Sequence, residues 1–156
     1  MAAATRAMSA LARPDLLGNA RRRRAVVAQV ATPAYRDELD GLFDRAYGHM
    51  EATLSGSPST TILLRLIPLG HRVESLDDGH ARVAVWHVLL VGAPGGRVVA
   101  SWSTSRADLV REGDRWLVSG FTADEPGPGP AVTNTRSVSP PEIFVARASA
   151  FTAFVP

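Results

Sequence analysis

The sequence predicts an α+β fold: N-terminal helices packed on a curved four-stranded antiparallel meander, followed by a short C-terminal helix. Three observations predict it. Apolar residues recur at spacings of three and four up to about residue 54, the period of a helix. From Thr61 to Thr122 the pattern becomes Val- and Leu-rich runs separated by short turns, the signature of strands. After Thr122 comes a Pro/Gly-rich stretch, and then Ser139-Pro140-Pro141-Glu142, which opens a helix.

The helical part, residues 1–58, divides into three. Ala2 to Leu11 reads as a short helix stopped before Arg13-Pro14. Asp15 or Asn19 caps a second helix that carries Arg21-Arg22-Arg23-Arg24 and runs to Val30. Thr32-Pro33 starts a third, with Thr at the cap and Pro at the first helical position. Its stripe is Tyr35, Leu39, Leu42, Ala46, Met50 and Leu54, widened by Phe43 and Tyr47. Ser55-Gly56-Ser57-Pro58 ends it.

The sheet, residues 61–122, reads as four strands: Ile62 to Leu76, Ala81 to Val91, Arg97 to Arg111 and Arg115 to Thr122. The first is expected to bend at Pro68-Leu69-Gly70, because Pro cannot donate to a central ladder. Asp77-Asp78-Gly79, Gly92 to Gly96 and Glu112-Gly113-Asp114 are the turns. Residues 124–138 read as a stiff linker, neither strand nor helix, and residues 140–153 as a helix whose apolar face is Ile143, Phe144, Ala148 and Phe151. One domain of 156 residues suits this content. Helices covering one concave face of such a sheet give the plan of the cone-shaped, cystatin-like folds.

Composition excludes several functions. Without cysteine there are no disulfides, thiolate metal sites or cysteine nucleophiles. The pI of about 9.9 accompanies a formal charge of only +2, because all 17 basic residues are arginine and stay protonated near pH 10. The pI is therefore no argument for specific nucleic-acid binding. An all-Arg, Ala- and Gly-rich chain points to a GC-rich genome, such as an actinobacterium's. No stretch reaches the roughly 18 apolar residues that cross a bilayer. No phosphate-binding loop, nucleophile elbow or metal-binding helix pair is present, so no cofactor and no catalytic group are expected.

Four features remain as candidate sites. Arg21, Arg22, Arg23 and Arg24 cannot share one helical face, so at least one stem must lie along apolar surface. The run serves either as an anchor for an acidic partner or anionic lipid, or as a solvated face with local ion pairs to Asp15 or the third helix. His71 and His87 lie on neighbouring strands, but two histidines without a third ligand make a poor metal site. Trp86, Trp102 and Trp116 stand on consecutive strands and either line a pocket or fill core. Asp108 is either an inward general base or one half of an ion pair with Arg106 or Arg111. If a ligand pocket exists, Trp86, Trp102, His87 and Asp108 are its expected lining.

The segments Ile67-Pro68-Leu69-Gly70-His71-Arg72-Val73-Glu74-Ser75, Ala81 to Trp86, Ser101-Trp102-Ser103-Thr104-Ser105 and Asp114-Arg115-Trp116-Leu117-Val118 carry a family likeness. They resemble an uncharacterised actinobacterial family, similar to the nuclear-transport-factor-two-like cone and found with conjugative or integrative elements. The resemblance implies a non-catalytic protein-interaction domain, an accessory or assembly component of a conjugation or type IV secretion-like apparatus. Its partners would be other proteins, including membrane-associated machinery, and an exposed edge strand would offer a contact for a homo-oligomer. The family commonly carries an N-terminal anchor, whereas Met1-Ala2-Ala3-Ala4 leads straight into the first helix; the expected location is extracytoplasmic if an anchor precedes it. A polyketide-cyclase-like or isomerase-like enzyme, or a small-molecule binding module, on the same cone are the alternatives.

Overall fold

The computed structural model describes residues 2–53, 62–92, 98–129 and 141–153. It shows an α+β architecture of N-terminal helices on an open antiparallel sheet.

Helix α1 spans Ala2–Leu11, α2 Ala20–Val30 and α3 Arg36–Thr53. A single 3-10 turn, Pro14–Leu16, links the first two. Asn19 is the cap of α2, its side chain accepting the Arg22 amide. Thr32-Pro33 opens a 3-10 turn, Pro33–Tyr35, and α3 follows from Arg36. The expected helix end at Ser55–Pro58 lies outside the described residues, as does Leu54. The buried side of α3 runs through Leu39 and Tyr47, while Ala46, expected in the apolar stripe, is exposed.

The strands are β1 Leu63–Asp77, β2 His80–Gly92, β3 Val99–Glu112 and β4 Arg115–Pro126. Each pairs antiparallel with the next, as short turns require. Gly79 (φ 98°) and Gly113 (φ 60°) supply the left-handed turn positions that an L side chain resists. The register of β1 shifts between Pro68 and Gly70, at the expected bend.

Two boundaries differ from the sequence reading. The expected linker begins later, because β4 runs on to Pro126, with Glu125 opposite Thr104 and Pro126 opposite Ser103. Pro is compatible with that place because it ends a strand at the edge of the sheet, where a missing N–H breaks no central ladder. The rest of that linker, from residue 130, lies outside the described residues. Helix α4 spans Pro141–Ala148, and the chain then turns at Phe151 into a two-residue strand β5, Thr152–Ala153, instead of continuing as helix. β5 pairs with β1 at Gly70 and His71, so the sheet order is β4-β3-β2-β1-β5.

The main core lies between the helices and one face of the sheet, here the inner face. Leu11 of α1, Val27 of α2 and Leu39 of α3 pack with Val83, Val85, Ala107, Leu109 and Val118. A second cluster joins Leu16 and Leu17 to Tyr47, Ile62 and Leu64.

The outer edge of β4 is partly covered. Thr32 donates its amide to the Val118 carbonyl (2.9 Å), and the Tyr35 hydroxyl accepts the Phe121 amide (2.9 Å). These bonds occupy backbone groups that an edge strand otherwise offers to another chain. The sequence leaves open which edge strand would offer a homo-oligomer contact; these bonds cover part of the β4 edge.

Candidate functional site

Strand alternation sends successive side chains to opposite faces, and the expected pocket residues are divided by it. His87 points to the inner face, beneath the helices. Trp86, Trp102 and Asp108 point to the outer face. The four therefore do not line one pocket.

On the inner face, a cavity of about 150 Å³ opens between α1, α3 and the sheet. Met8, Leu42, Phe43, Met50, Leu66 and Phe121 are among the side chains that line it. Phe43 is the hub of its aromatic wall, with ring centroids 5.9 Å from Tyr47 and 6.1 Å from Phe121. Among the described lining residues, His87, Ser105 and Tyr47 bring polar groups to this apolar wall. The His87 Nε2 lies 2.9 Å from the Ser105 Oγ, and the two residues are 2 % and 1 % exposed. They meet because Val85 and Ser105 are partners in the β2–β3 register, which sets Ser105 two positions along from His87 on the same face. Tyr47 also lines the cavity, its hydroxyl donating to the Leu11 carbonyl. Burial pushes its pKa up to about 12, against a lowering influence from the Arg13 backbone.

His71 does not stand opposite His87. Its partner on β2 is Val85, and His87 faces Pro68 across the bulge. Among the described residues no three His, Asp or Glu side chains gather as a metal would need.

On the outer face, the Trp86 ring lies 6.0 Å from Trp102 and 6.1 Å from Phe151, tilted against both. The Trp86 indole donates to the Pro128 carbonyl (2.8 Å), Thr104 donates to the Gly127 carbonyl (3.1 Å), and the Gly127 amide returns to the Trp102 carbonyl (2.8 Å). These indoles are thus packing for the C-terminal segment. Trp116 lies elsewhere, against the inner core and opposite Arg111.

Asp108 is half exposed, and its partner is Arg82 at 3.6 Å rather than Arg106 or Arg111. It belongs to a network centred on Glu74, which holds Arg72 (2.8 Å), Arg106 (3.2 Å) and Arg82 (3.6 Å). Burial alone would raise the Glu74 pKa, but bonds and charge from Arg72 and Arg106 bring it below the ordinary carboxylate value. Asp108 is thus one half of an ion pair on the outer face, with its side chain 46% exposed.

The arginine run is not one outward patch. Arg23 turns inward, 3 % exposed, with its guanidinium 2.7 Å from Asp40 and 2.6 Å from Asp44. Arg22 reaches Asp15 (3.2 Å) and Arg24 reaches Asp40 (3.1 Å). Arg21 is exposed and has no ion pair among the described residues. The compensating acids expected from Asp15 and α3 are both in use, and Arg23 is removed from any partner-binding surface.

Ser105 is the residue that sequence reasoning missed. The signal is Ser103-Thr104-Ser105, a run of small polar residues within β3 between Trp102 and Arg106; all three are buried.

Comparison with known proteins gives no match: no protein-family model, no curated protein and no solved structure matches the chain.

Proposed function

We propose that the chain is a non-catalytic, cone-shaped interaction domain of the nuclear-transport-factor-two-like kind, an accessory or assembly component of a conjugation or type IV secretion-like apparatus. The observation that carries this reading is the division of the titratable candidates between the two faces. His87 sits under the helices in a cavity with no carboxylate among its described lining residues, while Asp108 is on the outer face, tied to Arg82. A molecule reacting beneath the helices would reach His87 but not Asp108. The segment resemblance adds the class of machinery, and the exposed Arg21, with Arg22 and Arg24, leaves a basic helix face for an acidic partner. Among the described residues no helix is long and apolar enough to cross a membrane.

The test is genetic and direct. In the native host, deleting the gene should lower the transfer frequency of a resident conjugative element, and re-expression should restore it. Unchanged transfer overturns the reading.

Isomerase-like or cyclase-like chemistry on the same plan is the second reading. One observation favours it: His87 points beneath the helices, where a base on this fold would have to be. Loss of a measured turnover in His87→Gln, with the fold intact, would support it.

A further inference from the structure

We propose that the cleft between α4 and the outer face of the sheet is a binding site for a phosphate monoester with a small apolar body, its phosphate drawn in by Arg72, Arg106 and Arg147. The site lies apart from the inner-face cavity, and it does not rest on the interaction reading above; either can fail alone.

Register builds the site. Ala84 on β2 pairs with Arg72 on β1 and with Arg106 on β3, so the two arginines stand in one row across the sheet, on the face that carries Trp86. Strand spacing puts their Cα atoms roughly 10 Å apart, with the small Ala84 between them. Arg147, in the last turn of α4, is exposed and lines the same cleft. The cleft has a volume of about 370 Å³, at the small end of the range for ligand sites. Arg72 is held on two sides. Its guanidinium carbon lies 5.1 Å from the centre of the Phe151 ring, and its Nη2 lies 2.8 Å from the Glu74 carboxylate. An arginine fixed in this way loses little freedom when an anion arrives.

Charge sets the ligand class. Guanidiniums from β1, β3 and α4 line one cleft, and each stays protonated at any ordinary pH. Their field already acts on a neighbouring anion: burial would raise the Glu74 pKa, yet Arg72 and Arg106 bring it below the ordinary carboxylate value. A phosphate monoester carries about −1.5 to −2 at neutral pH, so each arginine attracts it nearly twice as strongly as it attracts a carboxylate. Arg147 supplies direct hydrogen bonds from its planar fork. Arg72 and Arg106 act through their charge, which needs no N–H released from Glu74. Pro128, Ala146 and Ala150 line the same cleft and give the body of the ester an apolar wall.

The probes are phenyl phosphate, inorganic phosphate and benzoate, titrated into the full chain at low ionic strength and followed by two-dimensional NMR and by calorimetry. Phenyl phosphate is expected to bind saturably with a dissociation constant on the order of 1 mM, and more weakly as salt is added. Benzoate, with its single charge, should bind about fivefold more weakly. Inorganic phosphate should also bind about fivefold more weakly, for want of an apolar body. Arg147→Ala, made at an exposed position, should weaken phenyl phosphate about tenfold. Arg45→Ala, at an exposed position of α3, should leave it unchanged. Glu74→Gln removes the carboxylate that shares Arg72 and Arg106, and should tighten phenyl phosphate about threefold. Absence of saturable binding by phenyl phosphate overturns the site. Equal losses in Arg147→Ala and Arg45→Ala overturn it too, as attraction by surface charge at large. Benzoate binding as tightly as phenyl phosphate overturns the phosphate class, and inorganic phosphate binding as tightly overturns the apolar wall. Binding that does not tighten in Glu74→Gln overturns the role of Arg72 and Arg106.

Discussion

Arg23 and Asp40 are bonded at 2.7 Å across the α2–α3 interface, with the arginine side chain only 4 % exposed. Burial works against the charge on Arg23, but Asp40 and Asp44 outweigh it, so the guanidinium pKa rises above its usual value. The pair fixes how α3 lies against α2, and α3 forms one wall of the cavity. Arg23→Ala strands Asp40, which keeps only Arg24, and should cost about 3 kcal/mol. Arg21→Ala should stay within about 0.5 kcal/mol. Urea unfolding midpoints of the two variants give the comparison; equal midpoints would refute the inward role of Arg23.

Tyr47 gives an alkaline prediction. Its pKa is pushed from the ordinary 10.0 of tyrosine up to about 12 in the fold, because burial disfavours phenolate. The unfolded chain therefore releases this proton first. Between pH 10 and 12 the folded state binds more protons, and stability falls as pH rises. The loss by pH 12 is on the order of 2 kcal/mol. Tyr47→Phe should lose part of its stability at neutral pH, because the Leu11 carbonyl loses its donor, yet fall less steeply above pH 10. Thermal melts from pH 8 to 12 decide it; parallel curves for the two proteins would count against the assignment.

Glu74 gives the acid counterpart. Its pKa is lowered in the fold, so its contribution is complete above the ordinary carboxylate range and disappears as pH falls through the folded value. Glu74→Gln should be less stable than the parent at pH 7 and nearly equal to it at the acid end. A difference that stays constant from pH 7 to pH 3 would show that Arg72 and Arg106 gain nothing from its charge.

Gly70 lies beneath the C-terminal segment. A Cβ there would come within 2.9 Å of the Phe151 Cβ and 3.2 Å of the Thr152 carbonyl oxygen. Gly70→Ala should push β5 off β1 at a cost of about 1 to 3 kcal/mol. Faster amide exchange at residues 151–153 and a red-shifted tryptophan emission, as Phe151 leaves Trp86, are the expected signs. Unchanged exchange there would show that the segment adapts without moving.

The helix starts and the four strands could be read because each follows from a local rule. Asn19 caps, Pro33 begins a helical turn, Gly79 and Gly113 turn the chain, and the bend at Pro68 follows from a missing donor. The candidate site was less legible. Trp86 and His87 are consecutive in one strand, so alternation alone separates them, and a pocket holding both was never open to the chain. Which of the two would face the helices depended on how α1 and α3 dock, and no local pattern reports that. Arg82 as the partner of Asp108 required the β2–β3 register. The inward turn of Arg23 required the placement of Asp40 and Asp44, some twenty residues away. The extension of β4 through Pro126 went unread because Pro and Gly dominate its surroundings.

The pairing of β5 with β1 has a kinetic consequence. The partners of the three long hairpins are near in sequence, whereas Gly70 and Ala153 are about eighty residues apart. Contacts of that separation reward the chain only after the intervening loop has been ordered. The meander and its helices are therefore expected to form first, with Trp86 and Trp102 still bare. Phe151 would then dock as a closing step that tryptophan emission can time separately from the gain of sheet.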